Sequence, residues 1–253
     1  MSALSLVRIA LDRPALTAFA ISRRLSDDDL GYALHLALRL RFGAAAPQPF
    51  RVEELPGRSP FVIGYAPAPA ALDAAQLLPP TDAALEAIFA DAPQYRAMPS
   101  SWQAGARFRF KVRIRPLVRY GGRIRTARAN AGSAMLSKAG EVDAFIAACD
   151  KAGPDAVLDR EAVYRDWLIS RLAPACVIED AQLDRMQRIR TRRSLHNRQG
   201  THASESHEAT FSGTLAITDE ANFARLLARG VGRHTAFGFG MLTLAPPGPS
   251  GHR

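Results

Sequence analysis

The sequence has few cysteines and no long hydrophobic run. Its 253 residues include two cysteines, Cys149 and Cys176, and neither lies in a Cys-x-x-Cys or Cys/His pattern with metal-ligand spacing. Nowhere does an apolar run approach the ~18 residues that cross a bilayer, and residues 1–13 lack the pattern of a secretory signal. We therefore expect a reduced, soluble, cytoplasmic protein with no metal, no cofactor and no membrane partner.

Acidic residues are scarce relative to basic ones. Lys and Arg number 33 against 24 Asp and Glu, which gives a formal net charge of +9 and an isoelectric point near 10.3. Since 47% of the residues are hydrophobic, the chain can build cores, and a folded surface with this charge attracts phosphate-rich partners. Heavy genomic use of arginine is the alternative explanation, and the positions of the arginines decide between the two.

The first half of the sequence predicts the order strand, helix, strand, strand, helix, strand. Ser26 followed by Asp29 is a helix-capping pattern, and the predicted helix reaches Phe42 before Gly43. Basic and apolar residues alternate over 107–115, which indicates a strand with one charged face. The predicted elements are residues 4–11, 30–42, 50–54, 61–65, 81–89 and 107–115.

A similar order follows in the second half, where a first strand is poorly marked near Ile124. Residues 128–155 receive no assignment beyond a partial helix at 141–150. We therefore predict an α+β fold of two tandem ferredoxin-like (RRM-like, βαββαβ) domains, residues 1–116 and 123–253, with a linker at 117–122. The other predicted elements of the second half are helices at 160–172 and 219–229 and strands at 176–186, 209–217 and 239–244.

Tyr32 and His35 form the first candidate site. They lie three residues apart on the predicted helix at 30–42, so their side chains share one face. Imidazole titrates near neutral pH and can pass a proton to or from an oxygen, which makes His35 a candidate for acid–base chemistry. Packing of both rings in the core is the commoner explanation of such a pair.

The second candidate site is the glycine-rich run at 230–240. Its glycines allow the backbone to approach a ligand closely, while Arg233 and His234 add charge and a titratable group. The run lacks the Lys-Ser/Thr end of a Walker loop and leads into a strand, so it is not a nucleotide-binding fingerprint. A structural turn is the alternative. The glycines are Gly230, Gly232, Gly238 and Gly240.

Arginines are concentrated in bands at 107–115, 119–128 and 185–198. Like charges at this density repel one another unless a polyanion neutralises them, so the bands favour docking to an RNA backbone over uniform arginine usage. Histidines 196, 202, 207 and 252 are interpreted as solvated, because none has carboxylates at metal-ligand spacing. The RNA-binding residues predicted from these bands are Arg107, Arg109, Arg113, Arg115, Arg188, Arg190, Arg192, Arg193 and Arg198.

Taken together, these features resemble the CRISPR-associated endoribonucleases of the CasE branch, which process precursor RNA for Cascade-type complexes. The glycine-rich run and the segment 241–246 after it form the most specific similarity. The other similar segments, in the same order along the chain, are Tyr32-x-x-His35, the basic strand that ends at Pro116, and the helix at 163–172 with Trp167 and Leu168.

The resemblance implies metal-independent cleavage of a CRISPR repeat stem-loop at its 3′ base. The ribose 2′-hydroxyl would attack the adjacent phosphate, leaving a 2′,3′-cyclic phosphate and a 5′-hydroxyl, with His35 transferring the proton and Tyr32 orienting the phosphate. The protein would then stay on the mature crRNA beside other Cascade subunits. A catalytically silent subunit that only holds the RNA hairpin is the alternative.

The sequence departs from this family at Thr235, where several members have a lysine. If a cation there stabilises the phosphorane, its role passes to Arg233, His234 or an arginine of the basic loop at 188–198. The glycine-rich run thus contributes Arg233, His234 and Thr235 to the predicted RNA-binding residues.

Overall fold

The computed structural model of the protein describes residues 4–25, 30–66, 69–80, 82–120, 140–194 and 201–247. Its first half is a four-stranded antiparallel sheet in the order β2-β3-β1-β4 with helices packed on one face. This order is that of a ferredoxin-like βαββαβ unit. The elements are β1 (Ser5–Ala10), α1 (Arg13–Ser22), α2 (Gly31–Phe42), β2 (Phe50–Glu53), β3 (Phe61–Ala66), α3 (Pro69–Leu77), α4 (Ala84–Ile88) and β4 (Gln94–Ala97).

The second half repeats this topology. Its sheet has the order β10-β5-β9-β8, and a separate two-stranded sheet joins β6 to β7. The predicted α+β fold of two tandem ferredoxin-like units is confirmed. The elements are β5 (Arg107–Ile114), β6 (Leu117–Tyr120), β7 (Gly140–Asp143), α5 (Ala144–Ala152), α6 (Arg160–Leu172), β8 (Cys176–Ser194), β9 (Thr201–Ile217), α7 (Glu220–Arg229) and β10 (Thr243–Ala245).

The assignment of residues 107–115 to the first half is wrong. Strand β5 pairs with β9 and β10, so it opens the second unit, and the first unit is completed by β4. All four residues of β4 are exposed, and this strand lacks the apolar alternation that marks β5. The two sheets are therefore separated in the chain between Ala97 and Arg107, ahead of the expected linker. The expected strand near Ile124 lies outside the described residues.

Several other elements agree with their sequence patterns. The predicted hairpin is the antiparallel pair β2 and β3, and α6 has the predicted bounds. Helix α2 ends at Phe42, as expected, and Gly43 follows it as the C-cap with a φ of 56°. Its first residue follows Leu30, which makes no side-chain cap hydrogen bond, and the expected cap at 26–29 lies outside the described residues.

The two units share apolar packing. Leu6 and Ile63 of the first sheet pack against the core of the second unit, on the face opposite to helices α1 and α2, and Leu4 just before β1 packs there too. The buried Tyr65 hydroxyl donates a hydrogen bond of 2.8 Å to the carbonyl of Leu242. The segment that leads from the glycine-rich run to β10 is thus attached to the first unit.

Candidate active site

Tyr32 and His35 lie on one face of α2, as their spacing predicts. The opposite face of this helix buries Ala33, Leu34, Ala37 and Leu38 in the core of the first unit. Tyr32 is 46% exposed and His35 is half-buried, so neither ring belongs to that core. The core-packing explanation of this pair is therefore wrong, because both rings lie outside the core of the first unit.

Phe237 joins this helix face to the glycine-rich run of the second unit. Its ring centroid lies 5.2 Å from that of His35, in an edge-on arrangement, and 5.8 Å from that of Tyr32. The ring of His234 also lies 5.8 Å from Phe237. The fold thus brings two predicted sites together that are about 200 positions apart in the sequence. Sequence reasoning missed Phe237, although an aromatic ring inside a glycine run was a visible signal.

The glycine-rich run requires its glycines. Gly240 has a φ of 72°, and a Cβ atom there would lie 2.3 Å from the carbonyl oxygen of Val231. The Val231 N–H donates to Gly240 O at 2.8 Å, and the Gly240 N–H donates to Arg113 O at 2.7 Å. These bonds close the run on itself and attach it to β5. All four glycines of the run have positive φ; they are Gly230, Gly232, Gly238 and Gly240.

Glu141 on β7 binds both charged residues of this run. Its carboxylate forms an ion pair with Arg233, and its Oε2 lies 3.0 Å from Nε2 of His234, whose side chain is only 6% exposed. Burial alone would raise the pKa of Glu141, but the hydrogen bonds and charges of Arg233 and His234 lower it. Glu141 therefore stays ionised and fixes both residues, a role that its sequence did not indicate.

Thr235 stands at the position of the expected lysine. Its Oγ1 accepts a hydrogen bond of 3.4 Å from the Gln48 amide of the first unit. It begins the short 3₁₀ turn Thr235–Phe237, and the ring of Phe237 at the end of this turn contacts Tyr32 and His35. This residue thus links the two units beside the candidate site.

The electrostatic surroundings of His35 favour its neutral form. Burial, followed by the positive charge of Arg39 on the same helix, lowers its pKa below the ordinary value of 6.5. A neutral imidazole can accept a proton at physiological pH, whereas an imidazolium cannot. The arrangement suits His35 to general-base chemistry.

The basic residues of β5 are largely engaged within the protein. Arg107 pairs with Glu179 at 2.8 Å, Lys111 lies 3.6 Å from Asp184, and Arg113 pairs with the buried Glu208. The Nε of Arg109 donates to Pro246 O at 3.1 Å, and Arg115 is 6% exposed beneath the Phe239 ring. RNA binding by Arg107, Arg109, Arg113 and Arg115 remains a prediction.

The third arginine band lies on a long β-hairpin formed by β8 and β9. The two strands pair as far as Ser194 and Thr201, so the expected loop beginning at Arg188 is wrong. The pattern predicted the strand only to 186, because the charged residues after it lack apolar alternation. Arg198 lies outside the described residues. The arginines on strand β8 are Arg188, which is exposed, Arg190, Arg192 and Arg193.

His207 is not solvated as expected but belongs to a polar network. Its Nδ1 lies 3.2 Å from the Arg160 guanidinium and 3.5 Å from the Asp143 carboxylate. The Tyr164 hydroxyl donates to Asp143 at 2.7 Å and accepts from Arg160 at 2.8 Å. Burial, followed by the charge of Arg160, lowers the pKa of His207. His202 lies on β9, and His196 and His252 lie outside the described residues.

These observations define a protein of two ferredoxin-like units with a histidine and tyrosine pair at their junction. The family model described as CRISPR associated protein matches residues 4–246, and the chain belongs to that family. The resemblance noted from the motifs is confirmed at this level. No curated protein sequence matches the chain.

Three solved structures illustrate the shared fold. The first is the CRISPR endoribonuclease Cse3 bound to 19 nt RNA, with 20% identity, a TM-score of 0.60, and coverage of 96% of this chain and 100% of that one. The CRISPR-associated protein Cas6e from Escherichia coli K-12 has the same identity and coverage and a TM-score of 0.57. A chain of a CRISPR RNA-guided surveillance complex in a pre-nicking state is 17% identical, with a TM-score of 0.52 and the same coverage.

None of the helices in the described parts of the chain has the length and hydropathy needed to span a membrane.

Proposed function

We propose that this protein is an endoribonuclease that cuts the stem-loop of CRISPR repeat precursor RNA. The observation that carries the proposal is the contact of Phe237 with both Tyr32 and His35, which sets a proton-transfer group of one unit against the glycine-rich run of the other. Membership of the CRISPR associated protein family and the fold shared with Cse3 support it.

In the proposed reaction, neutral His35 removes the proton from a ribose 2′-hydroxyl. The 2′-oxygen attacks the adjacent phosphorus, and the bond from phosphorus to the 5′-oxygen breaks. The proton that His35 has taken up is passed on to that oxygen, which completes a 5′-hydroxyl and regenerates the neutral imidazole, and the other product carries a 2′,3′-cyclic phosphate. No metal is required in this scheme, because the nucleophile is activated by the imidazole. The Tyr32 hydroxyl orients the phosphate by hydrogen bonding to a non-bridging oxygen.

The extra negative charge of the phosphorane needs a nearby cation. Thr235 cannot supply one, so we assign this role to the pair Arg233 and His234, which lie four and three positions before Phe237 and are held by Glu141. An arginine that is oriented before the substrate arrives needs no reorganisation in the transition state.

RNA docking is assigned to the hairpin of β8 and β9. Arginines along a long β-hairpin can follow the phosphates of a folded RNA, which provides affinity without base reading. We propose that the protein remains on its product as a Cascade subunit, since a chain of a CRISPR RNA-guided surveillance complex has the same fold. The arginines concerned are Arg188, Arg190, Arg192, Arg193 and Arg198.

The test uses a labelled repeat hairpin RNA from the CRISPR array of the source genome, incubated in EDTA. Wild-type protein should cut it once, whereas His35→Gln should bind it with unchanged affinity and leave it intact. Leu40→Ala is the control, because Leu40 lies on the same helix but on a different face and is partly exposed. Bound but uncut RNA with the wild-type protein would instead identify the catalytically silent RNA-holding subunit.

A further inference from the structure

A groove of about 390 Å³ lies beside the glycine-rich run, and its walls carry four arginines. Leu117 and Trp167 also line it, and the Trp167 ring packs under the Arg171 guanidinium at 5.2 Å. Three separate elements of the second unit contribute to it in addition to the run itself. The arginines are Arg119 on β6, Arg171 on α6, Arg229 on α7 and Arg233 in the run.

The positive charge of this groove is poorly compensated. Arg233 pairs with Glu141, but among the residues that the structure describes, no carboxylate forms an ion pair with Arg119, Arg171 or Arg229. Arg171 and Arg229 each occupy the last turn of a helix, where a cation is favourable beside the helix dipole. That effect does not account for Arg119, which reaches the same groove from a strand.

The groove is continuous with the candidate active site. Gly230, Gly232 and Thr235 line it, and Thr235 shares its 3₁₀ turn with Phe237, the ring against Tyr32 and His35. A ligand in the groove therefore contacts the same run that borders the proposed cleavage position. Guanidinium groups bind phosphate oxygens in a bidentate manner, which suits an open polar groove to a phosphodiester.

We propose that this arginine groove binds the phosphodiester backbone of the RNA on one flank of the cleaved bond. The inference rests on the proposed function and extends it, because the docking residues assigned under that function lie on the hairpin of β8 and β9, whereas Arg119, Arg171 and Arg229 lie on three other elements. The groove holds the RNA strand beside the cleaved bond, while the hairpin of β8 and β9 holds the RNA stem.

The test compares two double variants with equal loss of charge. Arg119→Gln/Arg229→Gln removes two exposed groove arginines, and Arg58→Gln/Arg96→Gln removes two exposed arginines of the first unit. Both are made in the His35→Gln background, so binding of the repeat hairpin RNA is measured without cleavage. Unchanged thermal unfolding confirms that each variant is folded.

The measured quantity is the dependence of affinity on salt. Loss of two phosphate contacts should reduce the steepness of log K against log salt by ~1.4 to 1.8. Between ~1 M and ~0.1 M salt, the affinity of the groove variant should therefore rise about 25- to 60-fold less than that of its parent. The control pair should leave the slope unchanged. Equal slopes in the two double variants would overturn the groove assignment.

Two further arms separate the explanations. Inorganic phosphate in the millimolar range should not raise the unfolding temperature of the wild-type protein. The proposal is wrong if phosphate does raise it, the groove variant loses that effect, and the salt dependence of RNA binding is unchanged in the variant. In that case the groove binds free phosphate. If the wild-type protein cleaves the hairpin but the groove variant shows the same salt dependence of RNA binding as its parent, only this inference is rejected. Absence of both hairpin binding and cleavage by the wild-type protein rejects the proposed function itself.

Discussion

Replacement of Arg113 by glutamine tests whether the basic strand β5 serves the fold or the RNA. The Glu208 carboxylate on β9 is 4% exposed, and it accepts a hydrogen bond of 3.0 Å from Nε of Arg113 and a second one from Nη2. The Gln187 amide donates to its other oxygen. The Arg113 guanidinium also stacks on Phe239 at 4.5 Å, while the main-chain carbonyl of Arg113, which the substitution leaves in place, accepts the Gly240 N–H.

The magnitude follows from the burial of the acid. Arg113→Gln leaves Glu208 buried without its cation, and loss of one partner of a buried pair costs about 3–5 kcal/mol. Because the Arg113 side chain is itself 26% exposed, we take the lower end, ~3 kcal/mol, which corresponds to a fall of ~6–12 °C in Tm for a protein of this size. Adding Glu208→Gln removes the buried charge and should recover most of that loss.

The assay is thermal unfolding followed by circular dichroism, with Arg107→Gln as the matched control on the same strand face. Arg107 is 66% exposed and pairs with the partly exposed Glu179, so its loss should cost under ~1 kcal/mol. Equal Tm values for Arg113→Gln and Arg107→Gln, or no recovery in the double variant, would refute the reasoning. Arg113 would then be a candidate for RNA binding and not for stability.

Three other predictions concern the junction between the units. The single-turnover cleavage rate should rise with pH with a midpoint below pH 6.5, since the lowered pKa of His35 leaves its proton-accepting neutral form dominant above that midpoint; a midpoint above pH 7 would contradict this role. Gly240→Ala should lower Tm far more than Gly105→Ala, because both residues have positive φ but only at position 240 would the added Cβ collide with backbone atoms. Tyr65→Phe should cost about 1 kcal/mol in urea unfolding by removing the bond to Leu242, and no measurable loss would mean that water replaces it.

The fold was predictable where apolar periodicity is strong. Helix α6 has a capping aspartate, Asp159, and a clear buried stripe, so its bounds follow from the pattern. Helix α1 was missed although Asp12 caps it and Pro14 lies in its first turn. Strand β4 could not be found from periodicity because it is exposed throughout, and that omission moved β5 into the wrong unit.

The candidate site was predictable only in its parts. Residue spacing placed Tyr32 and His35 on one face, and the density of glycines marked the run at 230–240. Their meeting at Phe237 depends on the packing of one unit against the other, which no local pattern encodes. Glu141 was equally hidden, because a single acid on a short strand has no sequence signature until its partners are known.

The acidic residues of this basic protein determine where its positive charge is available. Glu179, Asp184 and Glu208 pair with three basic residues of β5, and Glu141 binds Arg233 and His234. The strand whose alternating arginines first suggested RNA binding thus has most of its charge compensated within the fold. Arg119 and Arg229, by contrast, lie exposed in a groove without a paired carboxylate among the described residues. Affinity for a polyanion depends on charges that can release counterions, so the groove and the hairpin, rather than β5, should account for the salt dependence of binding.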